Sequence, residues 1–211
     1  MKDFSAINEQ LRKVGVLPIY CLKNERELET FMTALLPTPI RCIELTARHP
    51  FTAEAIRHIK RDYPEFTVGA GTVVTPEILK TMISAGADYF VSPGFDPKMV
   101  RLAKRKKVAF LPGCVTPTEI LNAKNHGLTT VKFFPCEASG GVSVLTLHAS
   151  AFPYMSFIPT GGINGENLKA YLSCPNVIAC DGNFMIQSEL LENGDAKGLC
   201  DLITGVLSSL K

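Results

Sequence analysis

The sequence lacks the features that mark several large classes of protein. No stretch approaches the roughly 18 uninterrupted apolar residues that a membrane-spanning helix needs, and the polar opening MKDFSAINEQLRKV contains no apolar core of a secretory signal. The net charge is only +2, so no electrostatic excess favours nucleic acid or a membrane surface. These absences predict a soluble cytoplasmic protein that binds neither nucleic acid nor membrane.

Patterns that hold disulfides or metals are also missing. The seven cysteines are odd in number and include no C-x-x-C pair, which argues against a disulfide framework and against a zinc ribbon. The four histidines are dispersed, without an HExxH spacing. We therefore expect a reduced protein that uses no metal ion or other cofactor. Most cysteines fit a packing role, but Cys136 is a candidate for function because it follows the segment described below that carries the chemistry.

Eight short apolar segments, rich in β-branched and aromatic residues, recur along the chain. They begin at Val16, Cys42, Thr67, Tyr89, Ala109, Thr130, Ser156 and Val177. Their hydrophobicity is nearly continuous, which is typical of parallel strands that are buried on both faces. Segments with helical periodicity lie between them, and no long polar linker interrupts the series. The pattern predicts one α/β domain over residues 1–211.

Helix start signals separate the predicted strands. Thr75, Asp96 and Thr116 each precede a proline, which places a capping side chain ahead of the first helical residue, and Thr116 forms a capping box with Glu119. Strand and helix alternate throughout, so we expect βαβ crossovers; eight units in this length predict a (β/α)8 TIM barrel. A short amphipathic helix over residues 3–13 would cover its lower end. A doubly wound open sheet is the alternative, because periodicity does not show that the last strand closes onto the first.

Two charged residues stand inside predicted strands. Lys132 is the one lysine among 14 that lies in an apolar strand. Burial there favours the uncharged amine by lowering its pKa, and a neutral amine is what Schiff-base chemistry requires. Glu44 is the one glutamate in a strand interior, and a carboxylate beside such an amine suits proton transfer. A lysine that reaches solvent, or a purely structural ion pair, is the alternative.

Residues at other strand ends suggest contacts with a substrate. Arg48 follows its strand where a guanidinium could clamp a carboxylate, although a solvated arginine fits the same position. Residues 69–72 (GAGT) lack the third glycine of a dinucleotide fingerprint. They are better explained by close approach of the backbone to a ligand. Residues 159–164 and 181–184 end the last two strands, and these two loops commonly bind phosphate in barrels.

Together these features resemble the 2-keto-3-deoxy-6-phosphogluconate / 4-hydroxy-2-oxoglutarate aldolase family over nearly the whole chain. The shared motifs are ELTAR from Glu44, GAGTV from Gly69, SPG from Ser92, LPG from Leu111, VKFFP from Val131 and PTGGI from Pro159. Each motif is weak alone, but six in this order are specific. The resemblance implies a class I aldolase on a (β/α)8 barrel that assembles as a homotrimer.

The resemblance also implies a role for each site residue. Lys132 would form the Schiff base, and Glu44 would transfer protons. The implied substrate contacts are Arg48 and Thr72 at the pyruvyl carboxylate, Pro93 and Phe134 at the pocket walls, and Gly161, Gly162, Gly182 and Asn183 at a phosphate. Where the family commonly has Gly-Gly-Ser, this chain has Asp181, Gly182 and Asn183. An inward carboxylate of Asp181 would repel a phosphate dianion. Cys136 replaces the usual alanine.

The expected reaction is the reversible cleavage of a 2-keto-4-hydroxy acid. The substrate would be 2-keto-3-deoxy-6-phosphogluconate, giving pyruvate and glyceraldehyde 3-phosphate, or 4-hydroxy-2-oxoglutarate, giving pyruvate and glyoxylate, or both. Two other functions stay open at this point. One is a phosphate-binding barrel that isomerises or epimerises its substrate without an imine, and the other is a metabolite-binding barrel without catalysis.

Overall fold

The computed structural model describes residues 4–210. The strands are β1 (Val16–Leu17), β2 (Ile19–Tyr20), β3 (Cys42–Thr46), β4 (Thr67–Gly71), β5 (Tyr89–Ser92), β6 (Ala109–Cys114), β7 (Thr130–Phe133), β8 (Ser156–Pro159) and β9 (Cys180–Asp181). The helices are α1 (Ser5–Val14), α2 (Glu25–Leu35), α3 (Thr52–Asp62), α4 (Pro76–Ala85), α5 (Pro97–Lys106), α6 (Pro117–Asn125), α7 (Gly141–Ala151), α8 (Leu168–Leu172), α9 (Ser188–Asn193) and α10 (Ala196–Ser209). Strands and helices alternate as the sequence predicts.

The first predicted strand joins the two edges of the sheet. Strands β2 to β8 form one parallel sheet in chain order, and β1 pairs with β9. Pro18 separates β1 from β2, since proline has no N–H for the ladder. Its carbonyl still accepts the N–H of Glu44 at 2.9 Å. On the other edge, Val16 lies opposite Cys180 in parallel register. The short stretch from β1 to β2 therefore contacts both β3 and β9.

The remaining gap in the ring lies between β8 and β9. Phe157 of β8 donates its N–H to the carbonyl of Asn176 at 2.8 Å and accepts the N–H of Ile178 at 3.1 Å. These bonds make an isolated parallel bridge between Phe157 and Val177. The sheet is thus closed, which confirms the predicted (β/α)8 barrel and excludes the open sheet. The last predicted strand, from Val177, is shorter than expected, because regular pairing is confined to β9.

Helix boundaries follow the predicted caps. The side chain of Thr75 accepts the N–H of Ile78, and Asp96 accepts that of Lys98. The capping box of α6 is present in full. Each of these caps satisfies N–H groups that have no partner within the helix. The start of each of these three helices is thereby fixed, and so is the end of the loop that joins it to the preceding strand at the upper rim.

Helix α1 covers the lower end of the barrel, as predicted, although it begins at Ser5 and residue 3 lies outside the described residues. Ile7 and Leu11 are buried. The ring of Phe4 packs edge-on against Tyr89 at 5.4 Å between centroids. Tyr89 begins β5, so these contacts lie at the amino ends of the strands. The opposite, carboxyl ends are left free for a site.

Side chains fill the lower interior of the barrel. Tyr89 is fully buried and donates its hydroxyl to the carbonyl of Ile43 at 3.0 Å. Gly69 lies beside it in register on the neighbouring strand, where an added Cβ would overlap the tyrosine ring. This glycine of the GAGT segment therefore makes room for a core aromatic. The sequence pattern predicts instead that the backbone of this segment approaches a ligand.

None of the helices between residues 4 and 210 combines the length and the apolar character needed to cross a membrane.

The close approach of Gly69 and Tyr89 generates a stability prediction. We expect Gly69→Ala to lower the free energy of unfolding by about 1–3 kcal/mol, because the added methyl group overpacks the interior. The measurement is urea denaturation. Gly165→Ala is the matched control, since a Cβ at Gly165 meets no atom within 4 Å, and its effect should stay within about 0.5 kcal/mol. Equal stability of the two variants would show that the interior is not tightly packed at Gly69.

Candidate active site

A cavity of about 260 Å³ opens at the carboxyl ends of the strands. It is lined by Ile19, Glu44, Thr46, Arg48, Thr72, Val91, Ser92, Pro93, Lys132, Phe134, Thr160, Gly161, Asp181 and Asn183. These residues come from strands on all sides of the ring and from the loops that follow them. This upper end is where barrel enzymes carry their reactive groups, and eight of the ten residues predicted for the site line the cavity.

Lys132 and Glu44 meet at the base of the cavity. Lys132 projects inward from β7 and Glu44 from β3, and Nζ lies 2.9 Å from Oε2. Their side chains are 5% and 4% exposed, so neither charge is held by bulk water. Lys132 does not reach solvent, which removes one of the two alternatives for it. The pair is placed either for proton transfer or for structure.

The environment of Glu44 increases its affinity for a proton. Burial raises the pKa of its carboxyl, and Lys132 opposes that rise as the nearest cation. Asp181 raises the same pKa further through its negative charge. A carboxyl whose pKa is raised can accept a proton from a neighbouring ammonium more readily than an exposed one. The site can therefore hold the proton on either partner.

The second glycine of the GAGT segment has a direct part in this arrangement. An added Cβ at Gly71 would overlap Oε1 of Glu44. The absence of a side chain on β4 thus lets the carboxylate lie against the neighbouring strand, within reach of Lys132. The motif makes room for the carboxylate of Glu44 here, a role that the spacing of the glycines does not reveal.

The predicted contacts for a carboxylate lie at the rim. Arg48 follows β3 and is exposed, and Thr72 follows β4 and is half-buried; both line the cavity. Pro93 and Phe134 line it from the loops after β5 and β7. A guanidinium and a hydroxyl at one side of the opening can bind a carboxylate whose ketone points down at Lys132.

The two predicted phosphate loops contribute unequally. Gly161 and Asn183 line the cavity, but Gly162 and Gly182 do not. The N–H of Gly182 donates to the carbonyl of Leu17 at 2.8 Å, within the contact that closes the barrel. In this structure it is therefore not available to a ligand.

Asp181 points into the cavity. It is 4% exposed, and its Oδ1 accepts the N–H of Asn183 at 2.9 Å. Burial raises the pKa of its carboxyl, while Lys132 and the N–H groups of Asn183 and Gly161 lower it. The site consequently contains two buried carboxyl groups and one buried amine.

Some lining residues were not singled out from the sequence. Thr46 is 4% exposed, and its hydroxyl has no hydrogen-bond partner among the described residues. It lies two positions after Glu44 on β3, so the two-residue period of a strand places both side chains on the inner face. This alternation could have predicted Thr46 as a lining residue from the position of Glu44. Ser92 and Thr160 are buried lining residues of the same kind.

Cys136 lies outside the cavity lining. It is buried, and its Sγ donates to the carbonyl of Gly161 at 3.0 Å. Burial raises the pKa of its thiol, which disfavours the reactive thiolate. The residue supports the loop after β8 from below. Across residues 4–210, no three side chains of histidine, cysteine, aspartate or glutamate are grouped so that they could hold a metal ion.

Comparisons with known proteins agree with this geometry. The profile of the family described as "Aldolase: KDPG and KHG aldolase" matches residues 7–202. A relative from Haemophilus influenzae named 2-dehydro-3-deoxy-phosphogluconate aldolase is 33% identical over 205 residues, which are 97% of each chain.

Solved structures share the fold. The KDPG aldolase of Legionella pneumophila, with pyruvate captured at low pH as a covalent carbinolamine intermediate, superposes with a TM-score of 0.90 at 29% identity, covering 94% of this chain and 97% of that one. The 2-keto-3-deoxy-6-phosphogluconate aldolase of Zymomonas mobilis with 3-phosphoglycerate gives 0.90 at 30% identity, covering 99% and 98%. The chain described here belongs to the KDPG and KHG aldolase family.

Proposed function

We propose that the protein is a class I aldolase that reversibly cleaves a 2-keto-4-hydroxy acid into pyruvate and an aldehyde through a Schiff base on Lys132. The observation that supports this most directly is the buried contact of 2.9 Å between Nζ of Lys132 and Oε2 of Glu44. The contact lies in the cavity at the carboxyl ends of the barrel strands. An amine and an acid at this distance are the two groups that the reaction requires.

The first step needs an uncharged amine. Glu44 can take the proton of the Lys132 ammonium directly, because burial raises its pKa and the two groups already touch. The lone pair of Nζ then attacks the C2 carbonyl carbon of the substrate. Arg48 and Thr72 hold the neighbouring carboxylate and thereby orient the ketone toward Lys132. Pro93 and Phe134 confine the chain of the substrate between them.

The carbon–carbon bond breaks once the imine has formed. Glu44 gives its proton to the hydroxyl of the carbinolamine, so that water leaves, a protonated imine forms and Glu44 is ionised again. The protonated imine accepts electrons. Glu44 removes the proton of the C4 hydroxyl, the C3–C4 bond breaks, and its electron pair moves into the imine to give an enamine. The aldehyde leaves. Glu44 returns the proton to C3, and water releases pyruvate and regenerates Lys132.

The distal half of the substrate lies toward the loops after β8 and β9. We propose that Gly161, Gly162, Gly182 and Asn183 border this part of the site, where the N–H groups of Gly182 and Asn183 are already bonded within the chain. The family name indicates two substrates, 2-keto-3-deoxy-6-phosphogluconate and 4-hydroxy-2-oxoglutarate. Both contain the pyruvyl half that Lys132, Arg48 and Thr72 contact.

We extend the proposal to the domain organisation and the cellular compartment of the protein. We propose that residues 1–211 form one barrel domain, of which the structure describes residues 4–210. We place the enzyme in the cytoplasm, and this is supported by the seven cysteines, which are all unpaired, as expected in a reducing compartment.

Trapping with borohydride tests the Schiff base. We expect pyruvate with borohydride to attach a lactyl group to Lys132, detected by peptide mass spectrometry, because only an imine is reduced to a stable amine. Lys132→Met should abolish labelling. Lys60→Met is the matched control, since Lys60 is also held in an ion pair, with Asp88 at 2.8 Å, and its loss should leave labelling unchanged. Turnover without any labelled lysine would indicate an isomerase, an epimerase or another mechanism without an imine.

The proton-transfer role predicts the effect of Glu44→Gln. This variant should lower kcat by about 10²- to 10⁴-fold while KM changes far less, because the amide keeps the shape but does not accept a proton. Steady-state cleavage assays provide the measurement. Glu27→Gln is a suitable control, because Glu27 is also buried but accepts the N–H of Lys23 far from the cavity lining. Near-normal kcat in Glu44→Gln would remove Glu44 from the mechanism.

We also propose that the chain assembles as a homotrimer. Large apolar side chains on the surface, such as Leu147 at 69% and Val74 at 54% exposed, are available to an interface. Light scattering should give three times the chain mass of 23.0 kDa. A monomer mass throughout the concentration range would contradict this assembly.

A further inference from the structure

Asp181 is a charged lining residue for which the proposed reaction has no use. The charged side chains along the cavity are those of Glu44, Arg48, Lys132 and Asp181. The mechanism uses the first three. Asp181 is 4% exposed, and a buried carboxylate is costly unless it is paired or hydrogen-bonded. Its contacts indicate what it does to a ligand.

The carboxylate of Asp181 takes up donors that would otherwise be available to an anion. Its Oδ1 accepts the N–H of Asn183 at 2.9 Å, and the N–H of Gly161 also favours its charged form. The N–H of Gly182 is bonded to Leu17. Two backbone donors after β9 therefore already have acceptors within the chain, and Asp181 is the acceptor for one of them.

The charges of the cavity are matched without a distal anion. Glu44 is paired with Lys132, and Arg48 is assigned to the carboxylate of the substrate. Among the described residues of the cavity lining, no further cation remains for a phosphate or a second carboxylate. A distal anion would instead lie beside Asp181, and like charges at close range are an effective way to reject a ligand.

A hydroxyl group meets different conditions at the same place. An ionised carboxylate only accepts hydrogen bonds, and it has about four lone-pair sites. The one N–H of Asn183 leaves capacity for an O–H donor, and neither a phosphate dianion nor a carboxylate anion has such a donor. A neutral, hydroxyl-bearing end can therefore donate to Asp181 without disturbing the loop contacts.

We infer that Asp181 is a specificity-determining residue. It directs the distal part of the site toward 2-keto-3-deoxy-4-hydroxy acids whose far end carries hydroxyl groups, and it selects against those that end in phosphate. This inference rests on the proposed aldolase function and names the substrate class of that site.

A purely structural role for Asp181 makes a different prediction. The bond to Asn183, two residues on, is the pattern of an Asx turn, and a structural role would limit Asp181 to shaping this loop. Asp181→Asn separates the two roles. Its side-chain oxygen can still accept the N–H of Asn183, but the negative charge is gone.

The experiment compares 2-keto-3-deoxygluconate with its 6-phosphate. The natural chain should cleave the neutral acid with the higher kcat/KM. In Asp181→Asn the ratio of kcat/KM, phosphorylated over neutral, should rise by at least about tenfold. Asp195→Asn is the matched control, because Asp195 also accepts a backbone N–H, from Gly198 at 2.8 Å, but is exposed and outside the cavity lining. It should leave the ratio unchanged.

Borohydride labelling of Lys132 with pyruvate is measured on the same samples. Pyruvate has no distal half, so labelling should persist in every variant. Absence of labelling in the natural chain counts against the aldolase function itself. Intact labelling together with an unchanged ratio in Asp181→Asn overturns the role of Asp181 alone, as does a natural chain that prefers the phosphorylated acid.

A measurement on the natural chain keeps the inference testable if Asp181→Asn does not fold. The condensation of pyruvate with glyceraldehyde is compared with the condensation with glyceraldehyde 3-phosphate. The neutral aldehyde should give the higher kcat/KM. A preference for the phosphorylated aldehyde would overturn the inference.

Discussion

The buried ion pair of Lys132 and Glu44 is the interaction on which the rest of the structure depends. Removing two opposite charges from water costs several kcal/mol per ion, and close contact must offset that cost. The pair lies between strands that are not neighbours in the sheet, so only a closed ring brings the two side chains face to face. Gly71 leaves the space in which the carboxylate lies. The packed lower interior, with Tyr89 at its centre, separates the pair from water below.

The two ends of the cavity are built on different principles. Toward the pyruvyl end, the proposed ligand contacts are charged side chains, Arg48 at the rim and the pair of Lys132 and Glu44 at the base. Toward the distal end lie the loops after β8 and β9, where the side chain of Asp181 accepts the backbone N–H of Asn183. The proposed pyruvyl half and distal half of the site therefore belong to different loops. One residue can change the second without moving the first.

Much of the fold was predictable because its signals are local. Nearly continuous apolar runs identified the eight strands, and Thr75, Asp96 and Thr116 fixed helix starts through hydrogen bonds to residues two or three positions away. Closure of the ring was not predictable, since it depends on hydrogen bonds between residues far apart, such as those of Phe157. The predicted last strand is longer than β9, because apolar character does not show where pairing with a neighbouring strand stops.

The candidate site was predictable where a residue is out of place in its segment. Lys132 and Glu44 could be recognised because charged residues are rare inside apolar strands, and the structure brings the two into contact. Gly69 and Gly71 were assigned to a ligand, but their neighbours are Tyr89 and Glu44, which are distant in sequence. Thr46 could not be recognised as a lining residue in the same way, because threonine is common in strands. Backbone donors were hardest to judge, since the N–H of Gly182 is bonded to Leu17 across the seam of the barrel.

That seam has a consequence for how the chain is made. Strand β1 leaves the ribosome first, but its partner β9 is among the last segments to emerge, so one edge of the growing sheet has no partner during most of synthesis. Contacts so far apart in sequence form late and slowly. Until β9 arrives, the unpaired edge of β1 is the place at which a nascent chain could pair with another. Emergence of β9 is thus the event that turns an open, vulnerable sheet into a closed ring.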